Sequence, residues 1–214
     1  MNGMIIAVDG PAASGKGTLT ESLADHYDLA RLDTGLIYRA VGSKLLRDNG
    51  NLEDPAVAVA AAQALSLTDL EQDDLRREEV GLAASKVATL PDVRAILLLF
   101  QRDFAARPPN GKSGAVLDGR DIGTVVCPEA PYKLFLTASA DVRAARRFKE
   151  LQARGAEAIY ARILRDIKDR DTRDMSRSAA PLEPAKDALV LDTSDLDADA
   201  VFAAALHYIN SQNL

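Results

Sequence analysis

Cysteine and aromatic residues are scarce in this chain. Its 214 residues include one cysteine, no tryptophan and only 5% aromatic residues. A single cysteine excludes an intrachain disulfide framework and is typical of proteins from a reducing compartment. Because Cys127 lies between Val126 and Pro128, the sequence favours a buried, chemically inert thiol over a catalytic one.

Long apolar runs and an excess of positive charge are also absent. The N-terminal apolar run at 4–8 is too short for a signal peptide or a membrane span. The formal net charge of −6 argues against a surface that coats nucleic acid, because non-specific binding to a phosphate backbone needs a basic face. We therefore expect a cytoplasmic protein with neither nucleic acid nor a membrane as a partner.

What the sequence does contain is an alternation of apolar runs and helical patterns. This alternation is typical of an α/β fold, with a parallel five-stranded sheet and helices on both faces. Strands are predicted at 4–8, 29–33, 115–119, 132–137 and 188–193, and helices at 16–27, 35–48, 140–153, 156–170 and 197–209. The interval 55–107 is alanine-rich and breaks the alternation. We interpret it as a helical insertion in a single unit that spans residues 1–214.

The stretch DGPAASGKGT, residues 9–18, has the glycine and lysine spacing of a phosphate-binding loop. It follows a predicted buried strand and opens a predicted helix, a geometry that aims backbone N–H groups at a phosphate. Gly10 and Gly15 would let the backbone wrap the phosphates of ATP, and Lys16 would reach their oxygens as a point charge. The other predicted ATP-binding residues are Pro11, Ala12, Ala13, Ser14, Gly17 and Thr18.

Gly17 stands where phosphate loops usually carry the Ser or Thr that binds magnesium. Mg²⁺ bound with ATP would then be held by the phosphates, by water, and by Thr18 or a nearby carboxylate such as Asp118. The missing hydroxyl, together with the absence of an Asn-Lys-x-Asp motif, argues against a switch GTPase.

Further blocks of sequence resemble the bacterial cytidylate kinases, a family of nucleoside monophosphate kinases. They are DTGLIYR at 33–39, DGRDIGTVVCPEAPYKLFLTAS at 118–139, RDTRDMSR at 170–177 and ALVLDTS at 188–194. The blocks follow the family's order over nearly the whole chain. The resemblance implies a phosphate-loop kinase fold with an acceptor-binding insertion at about 34–110 and a lid at about 143–165. The acidic stretch 66–79 looks too short for the small β-rich part of the family's insertion.

The resemblance also implies roles for individual residues. Lys16, Arg39 and Arg120 would be catalytic, and the two arginines, together with Arg177, would clamp the acceptor phosphate. Asp121 would accept a hydrogen bond from the cytosine amino group. The remaining CMP-binding residues would be Thr34, Ser85, Arg94, Arg170, Asp174 and Arg177, and the lid would bring Arg143, Arg146 or Arg147 to the donor phosphates.

Each of these roles has a plainer alternative. The phosphate-clamping arginines could be solvated surface residues, and the lid arginines could lie on an exposed amphipathic helix. Arg170 and Asp174 could form a simple i,i+4 ion pair. Thr34 could cap a helix that starts at Gly35, in addition to any contact with the acceptor.

These features together predict ATP-dependent phosphorylation of CMP, and of dCMP, by a monomeric enzyme. The acceptor is a phosphate oxygen that is already ionised near neutral pH, because the second pKa of such a phosphate is about 6. The reaction therefore needs no general base, and His26 and His207 lie outside every motif. A kinase for UMP or AMP and a non-catalytic nucleotide-binding regulatory module are the alternatives that the sequence leaves open.

Overall fold

The structure is a computed structural model that describes residues 3–52, 54–177 and 179–212. These residues form two compact units. The first contains the described residues up to Leu32 and from Pro108 onward, and the second contains those of Asp33–Arg107. In the described ranges, no helix combines the length and the apolar character needed to cross a membrane.

A five-stranded sheet organises the first unit. The strands are β1 Met4–Asp9, β2 Ala30–Asp33, β3 Gly114–Gly119, β4 Tyr132–Thr137 and β5 Leu189–Asp192. Their order is β2-β3-β1-β4-β5, and the pairings of β1 with β3, β1 with β4 and β4 with β5 are parallel. The predicted parallel five-stranded α/β sheet is confirmed.

The helices occupy the intervals between the strands. They are α1 Lys16–Tyr27, α2 Thr34–Arg47, α3 Pro55–Gln63, α4 Glu78–Val87, α5 Pro91–Ala106, α6 Ala140–Ala153, α7 Tyr160–Met175 and α8 Ala198–Ser211. A short π-helical turn at Ile122–Val126 follows β3. Helix α7 begins later than the predicted helix 156–170, because Gly155 adopts a left-handed φ of 70° after the end of α6 and residues 156–159 are not helical.

The register of the sheet brings two chain segments to one edge. Asp9, the last residue of β1, lies opposite Gly119, the last residue of β3. Both strands run in the same direction, so the segments that follow them leave the sheet side by side. The phosphate loop that follows β1 therefore begins beside Arg120 and Asp121.

Apolar side chains from the sheet and its flanking helices form the core of the first unit. Strands β1 and β4 are buried on both faces over most of their length, which is typical of central parallel strands. Helices α1 and α8 pack against them. The fully buried side chains of this core include Ile6, Val8, Leu23, Leu134, Leu136 and Ile209.

The described residues of the second unit after Asp33 form α-helices, two short 3₁₀ turns and the loops that connect them. Asp33 caps α2 by accepting a hydrogen bond from the Gly35 N–H at 2.9 Å, and Asp54 caps α3 in the same way. The prediction that Thr34 caps a helix starting at Gly35 was wrong. The helix begins at Thr34 itself, because the Asp33 carboxylate satisfies the N–H group of Gly35.

The acidic stretch 66–79 forms two short 3₁₀ turns, Leu67–Glu71 and Asp73–Arg76, and then opens α4. Asp69 accepts hydrogen bonds from both Ser66 and Lys44. Ser43 donates to Asp74 at 2.9 Å. The described residues of this stretch contain no strand.

Candidate active site

The phosphate loop has the backbone conformation that its glycines predict. Gly10 has a φ of 145°, and a Cβ at this position would overlap the carbonyl oxygen of Leu136. Gly15 has a φ of 95° and stands immediately before the first residue of α1. L-amino acids with side chains rarely adopt these conformations, so both positions favour glycine. The positive N-terminal end of α1 therefore lies at the end of the phosphate loop.

Lys16 folds back over this loop. Its side chain is buried, and its Nζ donates a hydrogen bond to the Pro11 carbonyl oxygen at 2.9 Å. The lysine therefore carries its ammonium charge across the concave side of the loop rather than out to solvent. A phosphate held by the loop's N–H groups would lie within reach of this charge.

The position of Gly17 is bordered by a cation. A Cβ at Gly17 would contact the guanidinium of Arg31 at 3.4 Å, and the Nε of Arg31 donates to the Thr20 hydroxyl at 3.1 Å. Thr20 in turn donates to the Oδ2 of Asp118 at 3.2 Å. The buried Asp118 at the carboxyl end of β3 is thus joined to α1 through Thr20.

The two residues predicted to assist magnesium differ in their surroundings. Thr18 is exposed in the first turn of α1, and Asp118 is buried. The described residues contain no cluster of three His, Cys, Asp or Glu side chains that could hold a metal ion. A hydroxyl and one carboxylate are hard oxygen ligands, and they fit a magnesium ion that is held mainly by nucleotide phosphates and water.

Three predicted arginines converge on Asp174, near the C-terminal end of α7. The Nε of Arg120 donates to Asp174 at 3.0 Å, Arg177 donates to its other carboxylate oxygen, and the Nε of Arg170 lies 3.8 Å away. Burial alone would raise the pKa of Asp174. The positive charges of the three arginines outweigh burial and hold that pKa below its ordinary value.

Asp121 lies beside this arginine cluster in the chain and opens the π-helical turn. It is half-buried, and its carbonyl oxygen accepts hydrogen bonds from Val125 at 2.9 Å and Val126 at 3.1 Å. Arg120 is further fixed by a bond from its guanidinium to the Gly119 carbonyl oxygen at 3.0 Å. The segment after β3 therefore presents one arginine and one carboxylate from an ordered backbone.

The predicted lid coincides with α6 and the first part of α7, which pack on each other through Ala144, Ile163 and Ile167. Arg143 is buried in this hairpin and forms two hydrogen bonds with Asp171, at 3.0 and 2.6 Å. It also donates to the Ala12 carbonyl oxygen in the phosphate loop at 3.3 Å. Arg143 thus links the hairpin to the phosphate loop and is not an exposed side chain.

The other two lid arginines also have partners on the protein. Arg146 donates to the hydroxyl and the carbonyl oxygen of Thr193, which follows β5. Thr193 itself donates to the Ser14 carbonyl oxygen at 3.0 Å. Arg147 pairs with Glu150 on its own helix at 2.8 Å, which is the arrangement of an ordinary amphipathic helix.

The predicted residues of the second unit lie on α2, α4 and α5. Thr34 is buried at the start of α2. Arg39 donates to the carbonyl oxygens of Leu75 at 2.7 Å and Arg77 at 3.3 Å. Its guanidinium also lies against the α4 backbone, since a Cβ at Gly81 would come within 2.9 Å of it. Ser85, one helical turn further along α4, and Arg94, in the first turn of α5, are both half-buried.

Several contacts at the site were not expected from the sequence. Asp9 accepts hydrogen bonds from the backbone N–H groups of Ile122 and Gly123, while Asp171 and Thr193 hold two of the predicted lid arginines. For Asp9 the sequence did hold a signal. A carboxylate that ends an otherwise apolar, buried strand needs a polar partner, and this requirement could have singled it out.

Comparisons with known proteins show the family of the chain. The family description for cytidylate kinase matches residues 6–211. The cytidylate kinase of Paramagnetospirillum magneticum is 62% identical over 208 residues, which cover 97% of this chain and 98% of that protein. That of Azorhizobium caulinodans is 58% identical over 203 residues, which cover 95% and 96% of the two chains.

Solved structures show the likeness of the fold alone. An uncharacterized protein from Eubacterium ventriosum has a TM-score of 0.57 at 16% identity, covering 97% of this chain and 99% of its own. A gluconokinase from Sinorhizobium meliloti has a TM-score of 0.52 at 14% identity, covering 98% and 93%. With the family match and relatives at this identity over nearly the whole length, the chain belongs to the cytidylate kinase family.

Proposed function

We propose that this chain transfers the γ-phosphoryl group of ATP to CMP, and to dCMP, and thereby forms ADP and the cytidine diphosphates. The observation that carries the proposal is the match to cytidylate kinases over residues 6–211, which includes both the phosphate loop and the arginine cluster.

The donor nucleotide binds at the phosphate loop. Backbone N–H groups of the loop and the first turn of α1 hold the phosphates, and Lys16 neutralises charge that builds up as the phosphoryl group leaves. Magnesium, when bound with ATP, supplies further neutralisation of the phosphate charge. Thr18 and Asp118 are the residues that would hold it or its water ligands.

The acceptor phosphate is clamped by arginines. Arg120 and Arg177 form hydrogen bonds with the Asp174 carboxylate, so their guanidinium groups are already oriented before a substrate arrives. An incoming phosphate can share these donors, because each guanidinium has more N–H groups than Asp174 uses. Arg39 of the second unit is the third proposed phosphate ligand.

Proton transfer by a side chain is not needed in this mechanism. The attacking phosphate oxygen is already ionised, so the protein's task is positioning and charge neutralisation. The His26 ring packs edge-on against Tyr27 and Phe202, at centroid distances of 4.6 and 5.7 Å, and we assign it a structural role.

Recognition of the base and the sugar is proposed for a separate set of residues. A carboxylate at Asp121 would accept from the cytosine amino group, with Ser85 and Arg94 facing the acceptor atoms of the ring. Thr34, Arg170 and Asp174 would face the sugar and the phosphate side.

For the lid, the contacts of Arg143 favour an anchoring role over direct contact with phosphate, while Arg146 and Arg147 are the candidates for contact with the donor phosphates. We retain the monomer and the cytoplasmic location as predictions from the sequence.

An acceptor panel tests the proposal. Purified protein with ATP and magnesium is offered CMP, dCMP, UMP or AMP, and ADP formation is measured for each. We expect CMP and dCMP to give the highest kcat/KM. The Lys16→Ala variant should lose at least about 100-fold in kcat while keeping its melting temperature, because the lysine acts mainly in the transition state. A preference for UMP or AMP would identify the alternative kinase, and nucleotide binding without turnover would identify a regulatory module.

A further inference from the structure

The Asp9 carboxylate bridges two segments that the proposed reaction must hold together. Asp9 is the last residue of β1 and directly precedes Gly10. It is only 4% exposed. Its Oδ1 accepts a hydrogen bond from the Ile122 N–H at 2.8 Å, and its Oδ2 accepts one from the Gly123 N–H at 2.7 Å. Both carboxylate oxygens of one buried side chain thus accept hydrogen bonds from the backbone of a distant segment.

The two donors are the first N–H groups of the π-helical turn. Such N–H groups have no partner within their own helical turn and need an external acceptor when they are buried. The side chain of Asp121, which occupies the capping position, does not cap the turn. Asp9 therefore caps the turn from another strand, and it does so for the segment that begins with Arg120 and Asp121.

Holding the 120–123 segment with a buried carboxylate costs free energy. A carboxylate in a buried site is disfavoured in its charged form, and of the neighbours that influence it Asp121 is repulsive while Lys16 is attractive. The Lys133 side chain on β4 also lies close to the contact between Asp9 and Gly123. Its carbon atoms are among the nearest neighbours of a Cβ built at Gly123. Its ammonium group, however, is bonded to Pro128 and Asp187.

We propose that Asp9 is a positioning residue for phosphoryl transfer. It fixes residues 120–123, which carry the acceptor-binding side chains, at a set distance from the phosphate loop that starts one residue after it. The inference rests on the proposed function in one respect, namely that Arg120 and Asp121 bind the acceptor. In-line transfer between two bound phosphates depends on their separation, so a small displacement of one segment lowers kcat more than it lowers the affinity for either nucleotide alone.

The Asp9→Asn variant tests the inference. An amide can accept from one of the two N–H groups, but its nitrogen is a donor and faces the other. We expect kcat for CMP phosphorylation to fall about 10- to 100-fold, the cost of a misplacement of about 1 Å. The dissociation constant of ATP, measured by calorimetry without CMP, should stay at the wild-type value. The amide resonances of Ile122 and Gly123 should shift in the NMR spectrum as they lose the carboxylate acceptor.

Two control variants separate positioning from general damage. Asp197→Asn makes the same chemical change at a carboxylate that accepts the Ala200 N–H at the start of α8, and Asn is an equally good cap there. Ile209→Val, in the buried core, reproduces a moderate loss of stability. Both controls should keep the wild-type kcat.

Gly123→Ala supplies a second test that does not depend on the folding of Asp9→Asn. The new Cβ would lie 3.4 Å from the Asp9 Oδ2 and 3.2 Å from Lys133, so it presses on the contact while it keeps the N–H donor. We expect a smaller fall in kcat, again with unchanged ATP affinity. Wild-type kcat in both Asp9→Asn and Gly123→Ala would overturn the inference, and so would a loss of kcat that Ile209→Val matches. If instead the wild-type protein phosphorylates no acceptor, the proposed function is what fails.

Discussion

Asp9 and Asp174 are both buried carboxylates of the first unit, and they are held in opposite ways. Asp9 accepts only from backbone N–H groups, and burial raises its pKa from 3.8 to about 6, although the bonds from Gly123 and Ile122 oppose this rise. Asp174 is surrounded by three arginines that outweigh its burial and lower its pKa. One carboxylate is thus costly to ionise, and the other is held as an anion.

The difference reflects what each carboxylate orders. Asp174 orders long, charged side chains, which would repel one another and move freely without an anion between them. Asp9 orders a backbone segment through hydrogen bonds from the N–H groups of Ile122 and Gly123. Phosphoryl transfer without a general base requires a fixed backbone and oriented cations, and we assign Asp9 to the first requirement and Asp174 to the second.

The largest effect is expected for Asp174→Asn. The variant leaves three guanidinium groups close together without their anion, and we expect the stability to fall by about 3 kcal/mol, the lower end of the cost of breaking a buried ion pair. In the same variant kcat/KM for CMP should fall at least about 100-fold, because the arginines lose their orientation. Urea unfolding and steady-state kinetics measure the two effects.

Asp166→Asn is the matched control on the same helix. Asp166 also pairs with an arginine four residues away, Arg162, at 4.0 Å, but both side chains are more than 60% exposed. Exposed pairs of this kind contribute at most about 1 kcal/mol, so little change is expected in stability or activity. Equal effects of the two substitutions would show that Asp174 is an ordinary surface partner.

The pH dependence of stability should distinguish the two carboxylates next. Because the pKa of Asp9 is raised in the folded protein, its contribution is fully present below pH 4 and is lost as pH rises through about 6. The total loss is about 3 kcal/mol, at 1.36 kcal/mol per pK unit. Because the pKa of Asp174 is lowered, its contribution is present above pH 4 and is lost as pH falls further.

Chemical unfolding of wild type and Asp9→Asn at a series of pH values isolates the Asp9 contribution. The stability of the wild type relative to the variant should decline from pH 5 to pH 7.5 by about half of the total, on the order of 1 kcal/mol. Parallel stability curves for the two proteins over this range would show that Asp9 titrates normally. The comparison with Asp174 would then lose its electrostatic basis.

These two carboxylates also differ in how much of their surroundings the sequence could predict. The pairing of Arg170 with Asp174 could be predicted because i,i+4 spacing places both on one helix face, and α1 and α6 were predicted with their observed bounds. For Asp9 the sequence indicates only the need for a polar partner. The partners themselves could not be predicted, because they lie 113 and 114 residues away and are backbone groups, which no residue type reveals. The same holds for Arg143, whose partner Asp171 lies on the next helix of the hairpin.

A smaller effect is expected for Asp121→Asn, which should alter recognition of the base. If the Asp121 carboxylate accepts from the cytosine amino group, Asp121→Asn supplies an amide that can turn its NH₂ toward the carbonyl of uracil. The ratio of kcat/KM for CMP to that for UMP should then fall. The corresponding loss of discrimination between the two acceptors is about 1 to 3 kcal/mol, the value of one such contact. CMP activity should drop while UMP activity holds or rises.

Kinetics with both acceptors decide between two roles for Asp121. Parallel losses with an unchanged ratio would mean that Asp121 supports the position of Arg120 and that cytosine is read elsewhere. Because Asp121 also lies close enough to Asp9 to raise its pKa, the pH series described above should be repeated on this variant. Removal of the charge should lower the pKa of Asp9.

The smallest effect is expected for Cys127→Ser, at the end of the π-helical turn. The sequence predicted a buried thiol, whereas Cys127 is half-buried, and its backbone N–H closes the turn by donating to the Ile122 carbonyl oxygen at 2.7 Å. If Asp9 acts on the backbone of this turn, the side chain at 127 matters little, and serine should keep kcat and the melting temperature near their wild-type values. Steady-state kinetics and thermal melting check this expectation. A large loss of kcat with normal melting would mean that a side chain of the turn, and not its backbone, carries the effect that we assign to Asp9.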